Sequence, residues 1–137
     1  MKKLIQADAV ATLVRDGATI GVSGILLSGF AEEVAIALEK SFLATGHPRD
    51  LTLVHGAGIG NWTDKGTHHF GHAGMVTRWF GAHTGAAPNM AHLIEQDQCE
   101  AYCLPQGVVF QLYREIAAQR PGILTKVGLA WISTAHI

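Results

Sequence analysis

The sequence predicts an α/β fold: an open, mostly parallel sheet with helices on both faces. Three observations carry that expectation. Short apolar runs of strand length alternate with stretches of helical periodicity. Glycine or proline punctuates most junctions between them. Hydrophobic residues make up 48% and charged residues 15% of 137 residues, which suits one domain built on one core.

The elements follow in order. Over residues 7–16, Val10, Leu13 and Val14 share one helical face, and Asp16-Gly17 stops the helix. Residues 19–22 form a short strand, ended by Ser23-Gly24, and 25–29 form a loop. A second helix covers 30–45. Glu32 and Glu33 suit the positive end of its dipole, and Val34, Leu38 and Phe42 make its inner stripe. Gly46-His47-Pro48 ends it. Residues 51–54 are a second strand, followed by the glycine-rich loop Gly56-Ala57-Gly58-Ile59-Gly60, which runs on to Gly66. A short helix or turn is expected over 68–74, a strand over 75–81, and a helix over 88–96 with Met90, Leu93 and Ile94 inward. A strand over 101–104 meets Pro105-Gln106-Gly107, and a helix over 108–119 ends before the turn Pro121-Gly122.

Several function classes fall away. A formal net charge of -1 offers no basic field for phosphate backbones, so no nucleic acid partner is expected. No apolar run reaches the ~18 residues of a membrane span, and Met1-Lys2-Lys3-Leu4-Ile5 leads into no secretory h-region. Cys99 and Cys103, four apart in a strand, stand ~13 Å apart, too far for a disulfide. Together these point to a cytoplasmic protein.

Open parallel sheets bind ligands in loops beyond the carboxyl ends of their strands. Here those loops are 23–29, 56–66, 81–85 and 105–107. Ser23-Gly24 presents backbone N–H groups able to hold an oxyanion, or simply makes a tight turn. The 56–60 loop is no dinucleotide fingerprint, because Asn61-Trp62-Thr63-Asp64 continues it where a helix should begin. His68 and His72 have the spacing of zinc ligands, but Gly71 weakens the helix needed to hold them, and no metal is expected. His83, between Gly81 and Gly85, is a candidate site residue. So is Gln106, whose amide can donate to a carbonyl or carboxylate if it does not merely meet water.

Taken in order, several blocks resemble family I coenzyme A transferases. They are Asp16-Gly17-Ala18-Thr19 with Val22-Ser23-Gly24; Gly46-His47-Pro48-Arg49-Asp50-Leu51-Thr52 with the 56–60 loop; Ala101-Tyr102-Cys103-Leu104-Pro105-Gln106-Gly107-Val108; and Arg120-Pro121-Gly122 with Thr125-Lys126-Val127-Gly128-Leu129. The likeness is to the amino-terminal (alpha) half, closest to acetate/propionate CoA-transferases. Departures stand at Ile25, Ala31, Ala73 and Thr84, where the family often has Phe, Pro, Glu and Trp.

The resemblance implies a three-layer α/β sandwich and transfer of CoA from a short-chain acyl-CoA to a small carboxylate through a glutamyl intermediate. It implies CoA as substrate and no other cofactor. It places Ser23 and Gly24 on the substrate-side loop, Gln106 with Gly107 facing the acyl or carboxylate group, and the nucleophilic glutamate outside this chain, while His83 joins the substrate-binding candidates from its place between Gly81 and Gly85. After Gly128-Leu129 the family continues differently from residues 130–137, so the domain 1–137 is expected to be incomplete at its C-terminal end and inactive alone. A missing carboxy-terminal half or beta subunit is the expected partner, with self-association into a homo-oligomer. The alternatives are the alpha subunit of a two-chain transferase and a non-enzymatic remnant that binds acyl groups or a protein.

Overall fold

The computed structural model describes residues 4–127. Four parallel strands form one sheet in sequence order: β1 (Thr19–Val22), β2 (Leu51–His55), β3 (Val76–Gly81) and β4 (Glu100–Cys103). The helices are α1 (Ala7–Ala11), α2 (Glu32–Thr45), α3 (Pro88–Glu95) and α4 (Gln106–Ala117), with a 3-10 turn at Thr67–Phe70.

Period-two alternation along β2 and β3 decides what lies on each face. Leu51, Leu53 and Trp79 enter a core with Leu38 of α2, Phe70 of the 3-10 turn and Met90 of α3, all buried. Burying one such side chain contributes roughly 1.5–3 kcal/mol. The opposite face, carrying Gly21 and Val54, receives α4: a Cβ on Gly21 would stand 3.5 Å from the Tyr113 ring. Helices therefore occupy both faces, as the sequence predicts.

Among the described residues, that second face is covered only in part. Arg78 and Glu100, paired across β3 and β4, are exposed and joined at 2.8 Å. Glu100 also accepts the Tyr102 hydroxyl, and Tyr102 stacks on Phe80 with ring centroids 4.7 Å apart. At the amino edge, Asp16 accepts His47 Nδ1 at 2.8 Å and the Arg49 N–H at 3.0 Å. The bond to His47, then that from Arg49, holds the Asp16 carboxyl below its ordinary range.

Several helix boundaries differ from expectation: α2 begins at Glu32 rather than 30, α3 ends at Glu95 rather than 96, α4 ends at Ala117 rather than 119, and two further differences have a local cause. α1 ends at Ala11, not Asp16, and Leu13 is exposed. The Thr12 hydroxyl bonds the Ala9 carbonyl at 2.8 Å, the local competition that ends helices at β-branched hydroxyl residues. α4 begins at Gln106, because Pro105 caps it from outside with φ -55° and its carbonyl accepts the Val108 N–H at 2.8 Å. α2 stops at the left-handed Gly46, whose N–H reaches the Phe42 carbonyl at 2.7 Å. The departure expected over 130–137 lies outside the described residues.

Candidate functional site

Because all four strands are parallel, their carboxyl ends share one edge. Ser23 and Gly24 follow β1, the 56–66 loop follows β2, His83 follows β3, and Gln106 and Gly107 follow β4. All five candidate residues therefore reach the same edge. Ser23, His83, Gln106 and Gly107 are exposed and Gly24 is half-buried. Gln106 and Gly107 lie in the first turn of α4, where backbone N–H groups lack intrahelical acceptors. A cavity of about 270 Å³ opens beside β1, lined by Gly21, Val22, Ser23 and Tyr113.

Gly24 has to be glycine. Its φ is +132°, and a Cβ there would press on the Ser28 carbonyl oxygen at 2.9 Å. The next turn closes on itself, with Ile25 N–H to Ser28 O at 3.1 Å and the reverse bond at 2.9 Å. Leu26 sits at its tip with φ +52°, so its peptide groups face outward to a second loop. Its N–H donates to the Gly58 carbonyl at 2.8 Å, and its carbonyl accepts the Gly60 N–H at 3.0 Å.

The 56–66 loop is anchored along its length. The Asn61 side-chain oxygen accepts the N–H groups of Thr63, Asp64 and Lys65 at 3.1, 3.0 and 3.0 Å. Glu32 of α2 accepts the Gly66 N–H at 3.1 Å and meets His69 at 3.0 Å. His69 and His72 each approach Glu39 at 2.6 Å. Burial raises the Glu39 carboxyl pKa, but the bonds from His72 and His69 outweigh it and leave the group below its ordinary value. Among the described residues no group of histidine, cysteine and carboxylate is arranged to hold a metal.

His83 lies over the same loop: a Cβ on Gly58 would come 2.7 Å from its ring. Cys103 is an exposed free thiol at the end of β4, and Cys99 is buried, its thiol pushed up to about 11 by burial and then by nearby Glu100.

Three contributors escaped sequence reasoning. Tyr113 reaches from α4 to the ends of β1 and β2, its hydroxyl 2.9 Å from the Val54 carbonyl and 3.1 Å from that of Val22. Trp79 and His55 bond to each other beneath the 56–60 loop at 2.6 Å. A histidine ending a buried apolar strand was the available signal for His55. Nothing local marks Tyr113.

The arrangement defines a parallel α/β domain with its strand-end loops gathered at one edge, and folds of this class bind ligands beyond the carboxyl ends of their strands. The Coenzyme A transferase family model matches residues 3–133, and the chain belongs to that family. It is 47% identical over 129 residues to a caffeate CoA-transferase of Acetobacterium woodii, covering 94% of this chain and 25% of that one. It is 31% identical to acetate CoA-transferase YdiF of Escherichia coli (strain K12), covering 92% of this chain and 24% of the relative. The YdiF acyl-CoA transferase from E. coli O157:H7, solved as a thioester complex with CoA, superposes with a TM-score of 0.84 at 31% identity, over 91% of this chain and 26% of that one. The chain thus spans about a quarter of the length of the curated relatives it matches.

Proposed function

We propose that this chain forms the amino-terminal, carboxylate-side part of a CoA-transferase that moves CoA from a short-chain acyl-CoA to a free carboxylate. The observation that carries the reading is the pair of backbone bonds joining Leu26 to Gly58 and Gly60. They make one surface of the Ser23-Gly24 loop and the glycine-rich loop, at the edge that also holds His83 and Gln106. On this reading the amides near Ser23 and Gly24 and the Gln106 side chain stabilise the oxyanion that forms when the thioester is attacked. His83 and Gly107 flank the approach. CoA is the substrate, and no other cofactor takes part.

The nucleophilic glutamate lies outside this chain. Six glutamates are present. Glu32 and Glu39 are held by His69 and His72, Glu100 by Arg78, and Glu115 by Arg120. Among the described residues Glu33 and Glu95 are in no such pair, and they lie on α2 and α3 rather than in an edge loop. A carboxy-terminal half or beta subunit completes the site. The exposed Ile25, Leu26 and Leu27 at the edge favour self-association without it.

The test is isotope exchange between acetyl-CoA and labelled acetate, with the protein mass recorded for a CoA adduct. No exchange by this chain alone, and exchange once a glutamate-bearing second half is added, is the expected result. Exchange or an adduct with this chain alone would place the nucleophile among its own glutamates and overturn the assignment.

A further inference from the structure

His55 is fully buried at the carboxyl end of β2, and both of its ring nitrogens are occupied. Trp79 Nε1 lies 2.6 Å from His55 Nε2, and the rings meet edge to face with centroids 5.3 Å apart. An indole N–H can only donate, so Nε2 carries the lone pair. The ring proton is therefore on Nδ1, which donates to the Ala57 carbonyl at 2.6 Å. Ala57 is the second residue of the glycine-rich loop. Its neighbour Gly58 accepts the Leu26 N–H, and Leu26 in turn accepts from Gly60. A continuous path thus runs from β3 through His55 to the loop that bears Ser23 and Gly24.

We infer that His55 is a positioning residue: clamped by Trp79 as the Nδ1–H tautomer, it fixes the Ala57 carbonyl and thereby sets how the glycine-rich loop meets the Ser23-Gly24 loop. The side chain is sealed from solvent and its hydrogen bonds go to Trp79 and the Ala57 carbonyl, so it acts through the loop. That the loops bind substrate rests on the function proposed above. The loop geometry itself does not, and it is read directly.

The experiment is amide hydrogen exchange by NMR on the full chain. In the unaltered protein the Trp79 indole N–H should lie downfield and exchange slowly, and the Leu26 and Gly60 amides should be protected. His55→Leu fills the space without a donor or acceptor. It should speed exchange at Leu26 and Gly60 roughly five- to tenfold, the equivalent of one hydrogen bond, while Leu53 in the core stays protected. His55→Asn keeps an amide donor near the Nδ1 position and should restore much of that protection. A folded His55→Leu protein with unchanged exchange at Leu26 and Gly60 overturns the inference. Should His55→Leu not fold, Trp79→Phe leaves the imidazole packed but unclamped. Faster exchange at Leu26 then supports the inference, and unchanged exchange overturns it. Neither result depends on CoA exchange, so a failure here and a failure of the proposed function are distinguishable.

Discussion

Leu26 donates its backbone N–H to the carbonyl oxygen of Gly58 over 2.8 Å, across a sequence gap that spans all of α2 and β2. The bond requires Leu26 to hold φ +52°, a conformation most side chains avoid. The cost is tolerated because both of its peptide groups are satisfied by one partner loop. Strain concentrated in such a place marks a geometry that the surroundings impose.

Gly60 is the residue on which this junction turns. Its φ is +155°, and a Cβ would overlap the Ala86 carbonyl oxygen. Ala86 cannot easily retreat, because the same oxygen accepts the Trp62 N–H at 2.9 Å. Gly60→Ala should therefore destabilise the domain by about 2 kcal/mol or more, a value expected of backbone strain rather than of surface change. Urea melts of the two proteins check it; a shift in midpoint within error would show that the loop can give way.

Tyr113→Phe isolates the link between α4 and the sheet. The phenol has one proton and two carbonyl acceptors, Val54 and Val22, and its burial raises its pKa above the ordinary value. Losing the hydroxyl leaves the ring in place and should cost about 1 kcal/mol, near the net worth of one hydrogen bond. For a domain of this size that lowers Tm by roughly 3–5 °C. Calorimetry with no change in Tm would mean that the two carbonyls are satisfied equally well by water.

The sheet was legible in the sequence because burial imposes a pattern. Leu51 and Leu53 alternate with Thr52, and glycines stand at or just after the ends of β1 and β3, so the strands, their mostly parallel sheet and the shared loop edge could be read, while the strand order could not. Helix ends were less legible. The Thr12 hydroxyl competes locally with the backbone and shortens α1, while Pro105 lets α4 start at Gln106. The supports of the site were not legible. Tyr113 meets Val54 across 59 positions and Trp79 meets His55 across 24, and no local spacing encodes such pairs. The five candidate residues were found through resemblance and loop chemistry; the residues that hold their loops emerge only from three-dimensional contacts.

Gly107→Ala separates stability from function. Gly107 lies in the first turn of α4, without positive φ, and a Cβ there meets nothing within 4 Å. Alanine should raise stability by about 0.5 kcal/mol through helix propensity and reduced unfolded-state entropy. If backbone at Gly107 approaches the substrate, the same change should weaken acyl-CoA use once a second half is supplied. Thermal melts and exchange rates measured on one preparation would show the two effects moving in opposite directions. Unchanged exchange in a stabilised protein would remove Gly107 from the site.

His55 should make the domain sensitive to mild acid. Burial lowers its pKa and outweighs the opposing effect of the bond to Ala57, and nearby His83 adds a still smaller lowering. The unfolded imidazole takes up its proton near the ordinary value of ~6.5, whereas the folded one resists until lower pH. Between those two values the unfolded chain binds more protons, so stability is fully present above ~6.5 and falls as the pH drops through that window. Protonating Nε2 would also set a donor against the Trp79 N–H. Glu39 and Asp16 behave in the same direction but lower on the scale, since their folded carboxyls titrate below the ordinary carboxylate range. Urea midpoints at about pH 7.5 and about pH 5.5 straddle the histidine window and leave the carboxylates ionised. The unaltered protein should lose more stability across that interval than His55→Asn, which has no proton to gain. Equal slopes for the two proteins would mean that folding leaves the proton affinity of His55 unchanged.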